Sequence, residues 1–336
     1  MAGIVTDSRP LLSIVMPAYN AEATVVEALE SLESCGVDDY ELIVVNDGST
    51  DGTWATLSSY MRPRQRVTAV DRKRNSGVAA ASNTTLLLAK GRYIARMDAD
   101  DVSLPGRIAQ QISVLEKEPD LAFCGTQVTT FGLEDTWGRG THLPTTPFGC
   151  FVVLPFHAPF VHPTVVFHRE RCGAELYYDP TLSTSEDYEL WVRLALADKP
   201  GTNLDLAGLK YRMSAQQATS VHIAKFRSND VGIRARLLAR ILEPDVNLAH
   251  VALAVVMTLQ LRNFTPETPY LAAIGELLGE VQAKPRYAAH WRRICELVRQ
   301  NLTQQAPAVP QVELPKFISD MTVKFGELSA ERRRFS

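Results

Sequence analysis

Two aspartates separated by one residue are the residues of this chain whose type and spacing best suit catalysis. Asp98 and Asp100, in the sequence MDADD at 97–101, follow a short apolar segment that begins at 93. Carboxylates this close repel one another, so the group requires a cation or an altered protonation state. Clustered carboxylate oxygens suit Mg²⁺ or Mn²⁺, which in turn hold diphosphate oxygens. The pattern predicts a divalent cation site for a phosphate-bearing ligand, although surface loops also carry such triplets without any ligand.

Three further polar segments could bind a nucleotide beside that cation. Tyr19 could stack on a base, although a plain helix entry with Asn20 as its cap is the alternative. Asp47 could accept a hydrogen bond from the N–H of a uracil-like ring, or could bond its own turn backbone. Arg74 precedes a predicted helix N-terminus, which suits phosphate or ribose, or it belongs to a solvated basic run.

Apolar strands and amphipathic helices alternate in the first third of the chain. Four strands are predicted, at 12–16, 42–45, 67–70 and 93–97. Pro17 is expected to end the first of them. Apolar residues recur at helical spacing between these segments. The alternation predicts an α/β fold with a mainly parallel sheet, in which ligands bind at the carboxyl ends of the strands.

The middle and last parts of the chain carry fewer local signals. Ser185, followed by Glu186 and Asp187, predicts a helix N-cap with carboxylates favoured by the helix dipole. Trp191 in the same helix either stacks on a sugar or belongs to the core. From about residue 225 onward the pattern is helical and is interrupted by prolines.

The composition is that of a globular protein with ample material for a core. Of 336 residues, 46% are hydrophobic and 22% charged, which predicts one large domain or two. The formal net charge of −3 gives no electrostatic basis for binding nucleic acid. Five scattered cysteines without C-x-x-C spacing predict reduced thiols, a cytoplasmic location and no zinc site.

Two features bear on membranes. The N-terminus lacks a basic region followed by an apolar stretch, so no secretory signal is predicted. The apolar run at 251–257 is much shorter than the roughly 20 residues that a spanning helix needs. Arginines at 292–293 and 332–334 form either a solvated helix face or a peripheral contact with an anionic membrane surface.

Four ordered motifs carry a family resemblance. They are SIVMPAYN at 13–20, VNDGSTDGT at 45–53, NSG at 75–77 and DADD at 98–101. Together they resemble the inverting family 2 glycosyltransferases of GT-A fold, a Rossmann-like fold of nucleotide-diphospho-sugar transferases. The resemblance continues through EDYELW at 186–191 and the pair Tyr211-Arg212. It covers about residues 11–222.

The resemblance implies a role for each matching residue. Those expected around the nucleotide are Pro17, Tyr19, Glu22, Asp47, Arg74, Asn75 and Asp98. Asp98 would contact the ribose or a metal-bound water, and Asp100 would ligate Mn²⁺ or Mg²⁺. Asp187 matches the catalytic base, which removes the proton of an acceptor hydroxyl in a single displacement. The cation would neutralise charge on the departing diphosphate.

Residues 93–101, residues 155–164 and the pair Tyr178-Asp179 resemble bacterial lipooligosaccharide and capsule transferases of the β-1,3-N-acetylglucosaminyltransferase type. This resemblance implies UDP-N-acetylglucosamine as donor and a galactose-terminated oligosaccharide or glycolipid as acceptor. We expect a GT-A domain at 1–222, with a nucleotide-binding half at 1–120 and an acceptor and catalytic half at 121–222. A helical region is expected at 223–336.

One departure from the family pattern concerns the metal. Relatives commonly place a histidine two residues after the Tyr-Arg pair, where this chain has Met213-Ser214. His222 could replace it as a ligand or could be structural. Two other functions stay open: a sugar nucleotidyltransferase, although residues 17–22 lack its Gly-rich basic loop, and a non-catalytic nucleotide- or glycan-binding module.

Overall fold

The computed structural model describes most of the first two thirds of the chain. The described residues are 9–214, apart from 63, 65, 134–137, 139 and 155–157, together with 229, 230, 232, 233, 236 and 237. The chain divides into two compact units, Met1–Phe151 with Ala158–Asn229, and Val152–His157 with Asp230–Ser336. The predicted boundary at 222 and the helical region beyond it stay predictions, because nearly all of 223–336 lies outside the described residues.

The first unit contains a mixed sheet of eight described strands. They are β1 (Leu12–Ala18), β2 (Tyr40–Asp47), β3 (Val67–Arg72), β4 (Tyr93–Arg96), β5 (Val102–Ser103), β6 (Phe123–Phe131), β7 (Val166–His168) and β8 (Gly201–Arg212). Their order is β3-β2-β1-β4-β7-β6-β8-β5. The first four pair in parallel, as do β6 and β8. Only β5 and β7 among these strands run antiparallel to their neighbours. This confirms the predicted α/β fold with a mainly parallel sheet.

Seven described α-helices accompany the sheet. They are α1 (Val25–Ser31), α2 (Thr53–Met61), α3 (Val78–Leu88), α4 (Arg107–Lys117), α5 (Pro147–Val153), α6 (Arg169–Cys172) and α7 (Glu186–Leu196). The apolar side of α1 packs on alternate residues of β1 within one core cluster. Among the described residues, no helix combines the length and the apolar character needed to cross a bilayer.

Pro17 does not end the first strand, contrary to the expectation from sequence. β1 continues to Ala18, and Pro17 lies opposite Val45 of β2. The carbonyl of Val15 accepts the N–H of Met97. The backbone N–H and C=O groups of odd-numbered residues in β1 therefore point toward β4. Because the register of β4 on β1 ends at Val15, the missing N–H of Pro17 falls beyond that ladder and costs no strand hydrogen bond.

Ser185 precedes α7 as predicted, but its side chain does not cap the helix. Its φ is 61°, in the left-handed region, and its hydroxyl makes no cap hydrogen bond. The hydroxyl is buried without a partner. The carboxylate of Asp187 instead accepts the N–H of Tyr188 over 2.7 Å. A carboxylate within the first turn therefore takes up one of the N–H groups that a capping side chain would satisfy.

Trp191 is a core residue, which decides between its two predicted roles. It is 1% exposed. Its ring stacks on Phe123 and Phe167, with centroids 5.4 Å and 5.9 Å away. α7 is thereby packed against β6 and β7, which sets the position of the acidic residues in its first turn.

This packing predicts the effect of truncating the tryptophan. Trp191→Ala should lower the free energy of unfolding by about 3–5 kcal/mol, because it removes a large buried ring and leaves a cavity. Urea unfolding followed by circular dichroism measures this. Tyr19→Ala, at a side chain that is 48% exposed, should change stability by only about 0.5 kcal/mol. Equal losses in the two variants would contradict the core assignment.

Candidate active site

The candidate site lies where β1, β2, β3 and β4 end. Parallel neighbouring strands place their carboxyl ends along the same edge of a sheet, so the loops that follow them meet there. The loop after β1 carries Tyr19 and Glu22, and the loop after β2 begins at Asp47. The segment after β3 carries Arg74 and Asn75. The aspartate cluster follows β4.

The loops after β1 and β2 are tied together by hydrogen bonds. Asn20 accepts the N–H of Thr50 through its side chain and donates its own N–H to Ser49. The carboxylate of Glu22 accepts the N–H of Gly52 over 2.9 Å. Asn20 therefore joins the two loops and does not cap α1, whose N-cap is Thr24. The carboxylate of Glu22 is held by protein backbone, and its expected contact with a nucleotide stays a prediction.

Asp47 occupies the centre of this edge and is only 2% exposed. Its Oδ2 accepts the N–H groups of Ser76 and Gly77 over 3.0 Å and 2.9 Å. Its Oδ1 lies 3.3 Å from Nη1 of Arg72. Neither of these two atoms makes a hydrogen bond, although both are buried. These two buried atoms are therefore ion-paired with each other, but neither has a hydrogen-bond partner.

Gly48 allows the loop after β2 to approach the segment after β3. Its φ is +69°, and an added Cβ would lie 2.5 Å from the backbone of Arg74 and Asn75. A larger residue would push the two segments apart. Arg74 and Asn75 themselves are exposed, as Tyr19 is, whereas Pro17 is buried within β1. The exposed side chains are accessible to a ligand at this edge.

Asp98, Asp100 and Asp101 form a single cluster after β4. Each offers a carboxylate oxygen that lies within 4.8 Å of the other two. Asp101 is buried, and its Oδ1 accepts the N–H of Arg212 over 2.8 Å. Its Oδ2 is buried without any hydrogen bond. The cluster therefore has the oxygen chemistry of a divalent cation site and an unused buried acceptor within it.

The cluster is electrostatically strained as it stands. Burial, and then the charge of Asp98, raise the pKa of Asp100 to about 6. Burial and the charges of Asp98 and Asp100 raise the pKa of Asp101 well above its ordinary value. Two arginines oppose this repulsion. Arg96 pairs with Asp98 over 2.7 Å, and Nε of Arg212 donates to the Asp100 carbonyl over 2.6 Å.

A second pair of acids begins α7. Burial, and then the neighbouring Asp187, raise the pKa of Glu186 to about 8. Glu186 is therefore protonated at neutral pH, whereas Asp187 is partly exposed. Two adjacent carboxyl groups in such different surroundings can hold different protonation states.

Two tyrosines connect these acids to the aspartate cluster. Burial raises the pKa of the Tyr211 phenol, and four carboxylates raise it further: Asp98, Asp101, Asp100 and Asp187. Burial also raises the pKa of Tyr178, where Glu186, Asp187 and Asp98 act in the same direction and Arg96 opposes them. A charge influences a phenol only from nearby, because protein electrostatics fall off with distance. Asp187 and Asp98 therefore act on the same two phenols.

Sequence reasoning did not predict the roles of four residues of the candidate site, namely Arg96, Asp101, Glu186 and Tyr211. The sequence does single out Arg96, because it is a charged residue inside an otherwise apolar strand. Asp101 lay within the predicted motif but had no role assigned. The neutral state of Glu186 and the position of Tyr211 had no local signal. His222, the expected third metal ligand, lies outside the described residues.

Comparison with known proteins identifies the family. The sequence model described as Glycosyl transferase family 2 matches residues 13–171. EpsE of Bacillus subtilis, provisionally named a glycosyltransferase, is 34% identical over 61% of this chain and 74% of its own length. This chain belongs to glycosyltransferase family 2. It is therefore an enzyme that transfers a sugar from a donor to an acceptor.

Two other proteins are also similar to this family 2 glycosyltransferase. The Escherichia coli UDP-Glc:alpha-D-GlcNAc-diphosphoundecaprenol beta-1,3-glucosyltransferase WfaP is 28% identical over 65% of this chain and 82% of its own. The crystal structure of S. aureus TarS 1–349 in complex with UDP-GlcNAc aligns with a TM-score of 0.56 at 17% identity. That alignment covers 90% of this chain and 94% of the TarS chain. It confirms the GT-A fold.

The raised pKa of Asp100 predicts a stability difference with a definite sign. Because the folded protein holds this proton more tightly than the unfolded chain, ionisation of Asp100 destabilises the metal-free protein above about pH 6. Asp100→Asn should therefore increase the free energy of unfolding at pH 7.5, on the order of 1 kcal/mol. Below about pH 5 the advantage should shrink. Urea titrations of the wild type and the variant at pH 7.5 and below pH 5 measure this. A variant less stable than wild type at pH 7.5 would contradict the proposed repulsion among the carboxylates.

Proposed function

We propose that this glycosyltransferase is a metal-dependent, inverting enzyme that adds one sugar at a time from a UDP-sugar. The acceptor is a hydroxyl of an oligosaccharide or glycolipid in the synthesis of bacterial surface polysaccharide or lipooligosaccharide. The observation that carries the proposal is the cluster of Asp98, Asp100 and Asp101, whose ligand oxygens lie within 4.8 Å of one another; Asp187 acts on the same Tyr211 phenol as these three. One acid removes a proton and the others suit the cation that holds a diphosphate.

Asp47 supports a uridine donor. Its Oδ1 makes no hydrogen bond and can accept the ring N–H of uracil, and Nη1 of Arg72 likewise can donate to a neighbouring ring carbonyl. Both atoms are already buried, so a base that supplies both hydrogen bonds satisfies groups that otherwise lack them. TarS is described with UDP-GlcNAc, whereas WfaP is named for UDP-Glc. Uridine is common to both names, and UDP-GlcNAc is the donor that we propose.

The aspartate cluster fits a divalent cation. The unused buried Oδ2 of Asp101 and the mutual repulsion of the three carboxylates are both relieved by a positive ion. Asp98, Asp100 and Asp101 would hold Mn²⁺ or Mg²⁺, and a bound ion supplies charge neutralisation at the leaving diphosphate. Asp100 and Asp98 are the ligands expected from sequence, and we add Asp101 because its carboxylate oxygen lies within 4.8 Å of theirs.

Asp187 is the base in this proposal. It is partly exposed and lies beside Glu186, which holds its own proton at neutral pH. A neutral neighbour adds no negative charge beside Asp187. Asp187 takes the proton of the acceptor hydroxyl as that oxygen attacks the anomeric carbon. The bond to the diphosphate breaks on the opposite face, and the configuration inverts.

The two acids of α7 provide a matched test. Asp187→Asn should lower kcat by about 10²–10⁴-fold, because the proton acceptor is lost, while UDP affinity measured by calorimetry stays within about twofold. Glu186→Gln should retain most of the turnover, since a neutral carboxylic acid is replaced by a neutral amide of similar shape. If Glu186→Gln were the inactive variant and Asp187→Asn active, the base would be wrongly assigned.

A donor panel tests the reaction itself. Purified protein is incubated with UDP-GlcNAc, UDP-Glc and GDP-mannose, with Mn²⁺ or with EDTA, and with a lipid-linked diphosphate sugar as acceptor, as the name of WfaP suggests. We expect UDP release from one uridine donor, dependent on both acceptor and Mn²⁺. Release of pyrophosphate from a nucleoside triphosphate would instead indicate a nucleotidyltransferase. Equal turnover with EDTA would overturn the metal requirement.

A further inference from the structure

Arg96 lies at the end of β4, directly before the aspartate cluster, and has an unusual environment. Its side chain is 1% exposed. A buried guanidinium without a partner charge would cost several kcal/mol. Among the described residues its one ion pair is with Oδ1 of Asp98, over 2.7 Å, beside a hydrogen bond from Nη1 to the Met97 carbonyl. The ion pair therefore compensates most of the cost of burying Arg96.

Other arginines of the fold are satisfied differently. Arg107 is also fully buried and donates to Ser103 Oγ and to the Pro163 carbonyl, over 3.0 Å and 2.9 Å. Arg169 donates to the carbonyls of Gly91 and Ala89. These arginines join backbone segments. Arg96 instead directs its ion pair to a candidate ligand, and its Nε is left buried without a hydrogen bond.

The position of Arg96 also relates the cluster to the acids of α7. The guanidinium acts electrostatically on Tyr178 and is acted on by Glu186 as well as by Asp98. Tyr178 in turn lies 2.7 Å from the buried His162 through its hydroxyl. Tyr178, His162 and Glu186 are all buried, so Arg96 lies among packed neighbours. A side chain held in this way can fix the carboxylate that it touches.

Asp98 has two carboxylate oxygens, and Arg96 holds one of them. The other is left for a cation, a water or a ribose hydroxyl. An isolated Asp98 would rotate freely and move away from Asp100 and Asp101 under their repulsion. With Oδ1 held, its carboxylate stays within 4.8 Å of both. The ligand set is therefore assembled before any cation arrives.

We propose that Arg96 is a positioning residue for the divalent cation: its bond to Asp98 orients that carboxylate and so sets the affinity of the cluster. The inference rests on the metal site proposed above. It concerns a residue that does not itself touch the ion. Partners of this kind, which hydrogen-bond to metal ligands, typically change metal affinity about 10–100-fold when they are removed.

The test measures Mn²⁺ binding without donor or turnover, by electron paramagnetic resonance of the free ion. Arg96→Met should raise the Kd for Mn²⁺ by about tenfold or more. Arg96→Lys keeps the positive charge but replaces the planar guanidinium by an ammonium group. Its Kd for Mn²⁺ should therefore lie between the values of the wild type and of Arg96→Met. In turnover assays, the KM for Mn²⁺ should rise while kcat at saturating Mn²⁺ changes much less.

Arg169→Met is the matched control, because it removes an arginine of α6 whose side chain, among the described residues, hydrogen-bonds only to carbonyls just before β4. It should lower the melting temperature and leave the Kd for Mn²⁺ within about twofold. If Arg96→Met does not fold, Arg96→Lys carries the comparison. Wild-type Mn²⁺ affinity in the folded Arg96 variants would overturn the positioning role alone. A wild-type protein that binds no Mn²⁺ would overturn this inference together with the proposed metal site.

Discussion

Repulsion among carboxylates at the end of one strand is the constraint on which the site depends. Asp98, Asp100 and Asp101 lie together without a cation, and burial makes their ionised forms costly. The ion pair of Arg96 with Asp98 and the hydrogen bond from the N–H of Arg212 to Asp101 hold them there. Such an arrangement lowers the stability of the protein in exchange for function, which is common at catalytic sites. A bound positive ion would return that stability by mass action.

The order of the strands explains why the loops of the candidate site lie together. β1 lies between β2 and β4, so the loops that follow these strands share one edge. β8 approaches the same region from the other half of the sheet, where Arg212 reaches residues 111 positions earlier in the chain. α7 is fixed by Trp191 against β6 and β7. The loops after β1 to β4 thus belong to local strand–loop units, whereas the positions of α7 and Arg212 depend on long-range packing.

That division also explains what could be predicted from sequence. The strands and loops of the first hundred residues have local signals: apolar runs, turn residues and a glycine after each of Asp47 and Asn75-Ser76. Pro17 shows the limit of such signals, because its effect depends on where the partner strand ends. Ser185 shows another, since a left-handed backbone cannot be inferred from a serine followed by acids. The ion pair of Arg96 and the neutral state of Glu186 depend on burial by distant segments, which no local pattern encodes.

The hydrogen bonds between the loops after β1 and β2 have a consequence for how the enzyme can change. Hydrogen bonds join Asn20 to Ser49 and Thr50, and Glu22 to Gly52, so these loops would lose little conformational entropy on binding the proposed nucleotide. The same bonds mean that neither loop can be remodelled alone, because a substitution in one leaves a polar group of the other unsatisfied. A switch to another nucleobase would then require paired changes in both loops, and lineages that retain one loop should retain its partner.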